Sequence, residues 1–284
     1  LCLLALAAAG LARAAEDPLI IGVFPRSNAA ETAKLFAPMA AYLGERLGRE
    51  VTLSTSKNFA LFWKAVSEQR YDIVYYNQYH YIRSAHSYRV IAHSQEFGKD
   101  AVAGALYVRR DSGITDVSQL RGRTIIFGGG RDAMLSYIAP RYLLLQAGLK
   151  DGDYRTELAV SPPNALIALH HKQAAAAGGG ELLIDLPVVK SAIDVRELKI
   201  LAATEPLLFL PWAVKRSMPA KLRESIQSYL LNMAHDEAGR RVLEAAVLTD
   251  MRKAEDRDYE PHRRMAAAVF GPKGTAGQAI RAKP

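Results

Sequence analysis

The apolar positions of the chain fall into short strand-like runs that alternate with longer stretches of helical period. Leu19-Ile20-Ile21-Gly22-Val23-Phe24-Pro25 is apolar without a break and predicts a fully buried strand. Asn28, with Glu31 three residues on, reads as a capping box. Leu35, Phe36, Met39, Leu43 and Leu47 then recur on one helix face until Gly48 stops it. The alternation continues as strand Val51–Ser54, helix Phe59–Gln69, strand Ile73–Tyr76, a helical turn or two over Tyr79–Ala85, and strand Arg89–His93. Strands separated by helices need crossover connections, which predict a mainly parallel sheet.

A second βα run starts at Ala101–Arg109, which is strand-like with Gly104 inside it. Asp116–Leu120 reads as a short helix. Thr124–Leu145 then reads as a β-branched strand, the loop Gly128-Gly129-Gly130, and a long helix that Asp132 is placed to cap and Gly148 to end. Glu157–Val160 is a further strand, and Ser161-Pro162-Pro163-Asn164 opens a helix, since prolines suit a first turn. Ala174–Ala177 followed by Gly178-Gly179-Gly180 repeats the strand-then-glycine theme. Leu182–Ile193 reads as a helix with Pro187 in its first turn or at a kink, and Leu198–Ala203 and Leu210–Val214 as strands. From Pro219 the pattern is helical, through Leu222, Ile226, Leu230 and Met233, then Val242–Leu248 and Pro261–Val269. It fades beyond Ala267, so residues 270–284 are expected to be a frayed tail. No repeat of solenoid period stands out. Two βα runs facing each other make a cleft, with ligands expected at the carboxyl ends of the strands.

Composition narrows the chemistry. Half of the 284 residues are hydrophobic and the net charge is +8, which favours anionic partners. Nucleic acid is not expected, because there is no Lys/Arg run, RNA-binding aromatic motif or zinc-finger spacing. The run from Leu1 to Ala15 is too short for a membrane span, and Ala12-Arg13-Ala14 fits a signal-peptide cleavage site, so residues 1–14 are expected to be a signal peptide and the mature chain to be periplasmic. The only cysteine, Cys2, lies in that segment. Without it there is no disulfide, no thiolate nucleophile and no cysteine metal ligand. The histidines lack ligand spacing, so no metal or other cofactor is expected. No nucleophile elbow or triad order supports an enzyme.

Positive candidates remain. Three consecutive glycines after a strand leave main-chain N–H groups at a helix start, which suits a small anion. Their spacing is neither that of a P-loop nor that of a dinucleotide fingerprint. Tyr71, Tyr75, Tyr76, Tyr79, Tyr81 and Tyr88, with His80, His86 and His93, make either an aromatic cleft wall with hydroxyl donors or core packing with polar tips. Tyr75 and Tyr76 point to opposite faces of their strand, and Tyr76 with Asn77 is the favoured site pair.

The ordered pieces Ile20-Ile21-Gly22-Val23, Tyr71-Asp72-Ile73-Val74-Tyr75-Tyr76, VRRDSGITDVSQLRGRTIIF (108–127), and Phe127-Gly128 leading to Tyr137 and Pro140 carry a family resemblance. The chain resembles the phosphate/phosphite/phosphonate-binding proteins that feed ABC importers. The resemblance implies an α/β, two-lobed type II periplasmic-binding-protein fold, each lobe a mostly parallel sheet flanked by helices. It implies residues 15–101 and 205–284 in lobe 1 and 102–204 in lobe 2, and a monomer that carries a small anionic solute to a membrane permease. It places the ligand against Arg26, Asn58, Phe59, Tyr75, Tyr76 and Asn77 of the first lobe. From the second lobe it adds Gly128, Gly129, Gly130, Arg131, Asp132, Ala133, Met134 and Asp185. The chain departs from the pattern where phosphonate binders carry Ser-Thr-Ser-Gly, since Ala133-Met134-Leu135-Ser136 stands there. Phe59 also stands where a tyrosine is expected. Two other roles share this fold, a sensing accessory to a membrane histidine kinase and an enzyme.

Overall fold

A computed structural model describes residues 17–26, 28–271 and 274. The expected signal peptide, Cys2 and nearly all of the expected tail lie outside these residues. The first half builds β1 (Leu19–Val23), α1 (Ala29–Leu47), β2 (Val51–Thr55), α2 (Phe59–Ser67), β3 (Ile73–Tyr75), α3 (Gln78–Ser84) and β4 (Tyr88–Gln95). β5 (Ala101–Arg109), β6 (Thr124–Gly128), α4 (Ala139–Gln146), β7 (Arg155–Ala159), α5 (Pro162–His170), β8 (Ala176–Gly180), α6 (Pro187–Ala192) and β9 (Leu198–Leu208) follow. The chain ends in β10 (Pro211–Lys215), α7 (Ala220–Asn232), α8 (Glu237–Ala245), β11 (Asp250–Lys253) and α9 (Glu260–Phe270).

Local signals set many of these boundaries. Asn28 Oδ1 accepts the Glu31 N–H at 2.8 Å to start α1, and Gly48, at φ +60°, closes it with Phe36, Met39 and Leu43 buried inside. Pro187 occupies the first turn of α6, which splits the expected Leu182–Ile193 helix into a 3₁₀ turn at Leu183–Asp185 and α6 itself.

Two sheets result, ordered β11-β4-β10-β3-β1-β2 and β7-β6-β8-β5-β9. In the first, β1 pairs parallel with β2 and β3, while β10 is inserted antiparallel between β3 and β4. In the second, β6 pairs parallel with β7 and β8, and β5 runs antiparallel between β8 and β9. Most strands of each sheet therefore point one way, with helices on the faces. The chain leaves the first sheet between Gln95 and Ala101 and returns between Leu208 and Pro211.

Three expectations are corrected. Gly178, Gly179 and Gly180 are not a loop but part of β8. A Cβ on Gly178 would meet the Ser136 carbonyl oxygen at 2.6 Å, and one on Gly104 in β5 would meet the Ala139 Cβ at 2.3 Å, so these glycines let the helix above lie close on the sheet. That helix does not begin on an Asp132 cap. It opens as a π-helical turn, Met134–Ile138, before α4, and no side chain caps it. The stretch after α8 is not wholly helical, since β11 adds an antiparallel edge to β4. Only Met251 of that strand is buried, too little apolar content to read as a strand.

One apolar cluster runs from Ile21, Phe36 and Tyr75 in the first lobe to Ile125, Phe127 and Tyr137 in the second. α9 contributes to the join: the Phe270 ring lies 5.4 Å from Tyr79 and 6.4 Å from Tyr137, touching both lobes.

Candidate functional site

The carboxyl ends of β3 and β6 bring the two lobes together. After β3, Asn77 caps α3, its Oδ1 accepting the Tyr79 N–H at 2.8 Å. The same side chain reaches across, and its Nδ2 donates to the Asp132 carbonyl at 2.9 Å. In the first turn of α3, His80 is fully buried, and its Nε2 lies 3.3 Å from Asp132 Oδ2. An ionised carboxylate only accepts, so Nε2 is the donor. Burial pushes the Asp132 carboxyl up, but the His80 hydrogen bond and the charges of His80 and Arg83 outweigh it and hold it below its ordinary range. The imidazole sits in an aromatic slot, stacked on Trp63 at 5.6 Å with Phe59 at 5.5 Å.

A second group surrounds Tyr75. Its ring stacks on Trp212 at 4.6 Å and meets Phe24 edge-on at 5.7 Å, and its hydroxyl pairs with Ser94 Oγ at 2.9 Å. Arg26 Nη2 lies 2.8 Å from Glu96 Oε1, an ion pair too poorly aligned to be a hydrogen bond for that oxygen. Among the described residues, Arg26 Nη1 and Trp212 Nε1 are buried donors with no acceptor.

The glycine loop is partly spent on packing. A Cβ on Gly128 would meet Pro162 Cα at 2.3 Å, so β6 ends hard against the start of α5. The Gly129 N–H donates to Ala159 O at 3.2 Å, and Ser136 Oγ donates to Gly128 O at 2.7 Å. Among the described residues, unpaired main-chain N–H groups begin only at Gly130, continuing through Arg131 and Asp132.

The structure thus gathers Phe59, Asn77 and Asp132, with Arg26 and Tyr75 one aromatic ring further along. Ala133 is half-buried beside Asp132, and Met134 is buried. Tyr76 turns the other way, its hydroxyl pairing with Ser84 Oγ at 3.0 Å inside the first lobe. Asn58 is exposed and caps α2, Arg131 is exposed, and Asp185 is exposed and paired with Lys190 at 3.0 Å. Sequence reasoning left Arg83 and Glu96 unnoticed. His80 carried a usable signal, three residues after a capping Asn in the first turn of a short helix. Among the described residues no group of His, Cys, Asp and Glu could hold a metal ion.

The family model for the periplasmic substrate-binding protein of phosphonate ABC transporters matches residues 21–259. The chain belongs to this family. Members of the family are periplasmic transport proteins that bind solutes. Solved structures agree in fold. PhnD1 of Prochlorococcus marinus, in complex with methylphosphonate, is 15% identical with a TM-score of 0.75, over 89% of this chain and 98% of that one. XAC2383 of Xanthomonas citri, bound to ATP, is 18% identical with a TM-score of 0.76, over 89% and 97%. A binding protein component of a phosphonate ABC transporter from Pseudomonas aeruginosa is 14% identical with a TM-score of 0.71, over 87% and 85%.

Proposed function

We propose that this phosphonate-family protein captures a small oxyanion of the phosphate, phosphite or phosphonate type between its lobes and delivers it to the membrane permease of an ABC importer. The observation that carries the reading is the meeting of Asn77 and His80 with the loop after β6, where unpaired amides begin at Gly130. Unspent loop N–H groups just ahead of a helix start favour an anion. Arg26 Nη1 and Trp212 Nε1 are further donors in want of an acceptor, and an unmatched buried donor costs about 1–3 kcal/mol. The crossings at 95–101 and 208–211 serve as the hinge. The first lobe then takes the described residues before 95 and after 211, and the second takes 101–208. Residues 205–208 belong to β9, which pairs with β5 in the second sheet, rather than joining the first lobe as expected. The bound methylphosphonate of PhnD1 supports the ligand class.

The test is a thermal-shift screen with inorganic phosphate, phosphite, methylphosphonate, methanesulfonate and ATP, followed by calorimetry of each hit. A solute present at one hundred times its Kd stabilises the native state by about 2.7 kcal/mol, a rise in Tm of roughly 5–10 °C. A phosphorus oxyanion producing that rise supports the reading. A panel in which none does, or in which only methanesulfonate does, overturns it.

A further inference from the structure

The first lobe offers an anion a defined notch, and the protein fills it with a carboxylate of its own. Asn77 Nδ2 holds the main chain of Asp132 and His80 Nε2 holds its side chain, so one second-lobe residue is gripped twice by the start of α3. The notch is rigid. His80 is fully buried against Trp63, Phe59 and Phe62, and the Arg83 guanidinium carbon lies 3.9 Å above the Trp63 ring. The Asp132 side chain is only one-quarter exposed. Its location fits the contact, because a residue placed to cap its own helix instead leaves that helix uncapped and turns to the opposite lobe.

We propose that Asp132 is an internal counter-anion, which latches the second lobe onto His80 and Asn77 and competes with the incoming oxyanion for that notch. The competition rests on the oxyanion reading; the latch does not. Two like charges cannot share a notch of this size without a large Coulomb cost, so a bound oxyanion displaces the Asp132 carboxylate. Asp132 then sets both how far the lobes part before binding and how strong an anion must be to enter. Its effect is differential, acting on the ligand-free balance between closed and open forms.

The experiment compares wild type with Asp132→Ala and Asp132→Asn. Asp132→Asn is nearly isosteric and keeps the main-chain bond from Asn77, so it guards against a folding defect in the alanine variant. Small-angle scattering of each protein without added ligand reads the latch. Calorimetry with inorganic phosphate and methylphosphonate reads the competition. A larger radius of gyration for Asp132→Ala, with at least tenfold tighter anion binding by both variants, supports the proposal. Superimposable scattering curves for all three proteins overturn the latch. Anion binding that weakens in both variants overturns the competition, since Asp132 would then be a solute contact. An opened Asp132→Ala that binds neither anion supports the latch and counts against the oxyanion reading, which separates the two failures.

Discussion

Around the cleft the first lobe is built of rings and the second of bare backbone. Tyr75, Trp212, Phe24, Phe59, Trp63 and His80 form one connected aromatic set on the first sheet and its helices. In the second sheet, Gly104, Gly128 and Gly178 stand where a Cβ would strike a helix or turn packed on that sheet at 2.3–2.6 Å. The aromatic set therefore gets its shape from side-chain volume, and these three glycine positions get theirs from how closely the overlying elements approach the sheet. The difference teaches that the two walls fail in opposite ways, one by losing atoms and the other by gaining them.

The largest effect is expected from Trp212→Ala. It empties the space stacked on Tyr75 and should cost about 3–5 kcal/mol in urea unfolding. Trp212→Phe keeps a ring there and removes a buried N–H that has no acceptor, so it should cost far less. Equal losses for the two variants would break the volume half of the comparison. Next comes Gly178→Val, which drives a branched side chain toward the Ser136 carbonyl at 2.6 Å and the Phe127 ring at 2.7 Å. A loss of about 1–3 kcal/mol is expected, and wild-type stability would show that the helix has room to lift off the sheet.

An effect no larger than the upper end of that range sharpens how the lobes are joined. His262 on α9 is fully buried, with Nε2 3.2 Å from Leu208 O, and burial pushes its pKa down to about 3. The unfolded chain takes up a proton near pH 6.5 while the folded chain resists until about pH 3, so stability falls as pH drops through that window. The slope is about 1.4 kcal/mol per pH unit. His262→Gln, whose amide can still donate to Leu208 O, should flatten the dependence of Tm on pH between 6 and 4. An unchanged slope would remove His262 from the account.

Much of the local structure was legible. Asn28 and Gly48 bound α1 because both act within three or four residues of themselves, and Ser161 and Pro162 start α5 for the same reason. The family cadence from Val108 to Phe127 pointed to the fold. The site was less legible. Gly178 looks the same in a sequence whether it turns a loop or admits a helix, and the deciding atom, the Ser136 carbonyl oxygen, lies 42 positions away. Tyr75 and Tyr76 were both candidates, but only the strand's neighbours reveal that one stacks on Trp212 and the other turns to Ser84.

By itself the sequence determined the alternation of strands and helices, most of their ends and the membership of a solute-binding family. Those depend on apolar period, caps and turn residues, whose hydrogen bonds close within a turn. Tertiary structure alone decided what Asp132 does. A carboxylate at a helix start can cap its own amides or seek a donor elsewhere, and the balance tipped only when folding set His80, 52 positions earlier, beside it in a slot sheltered from water.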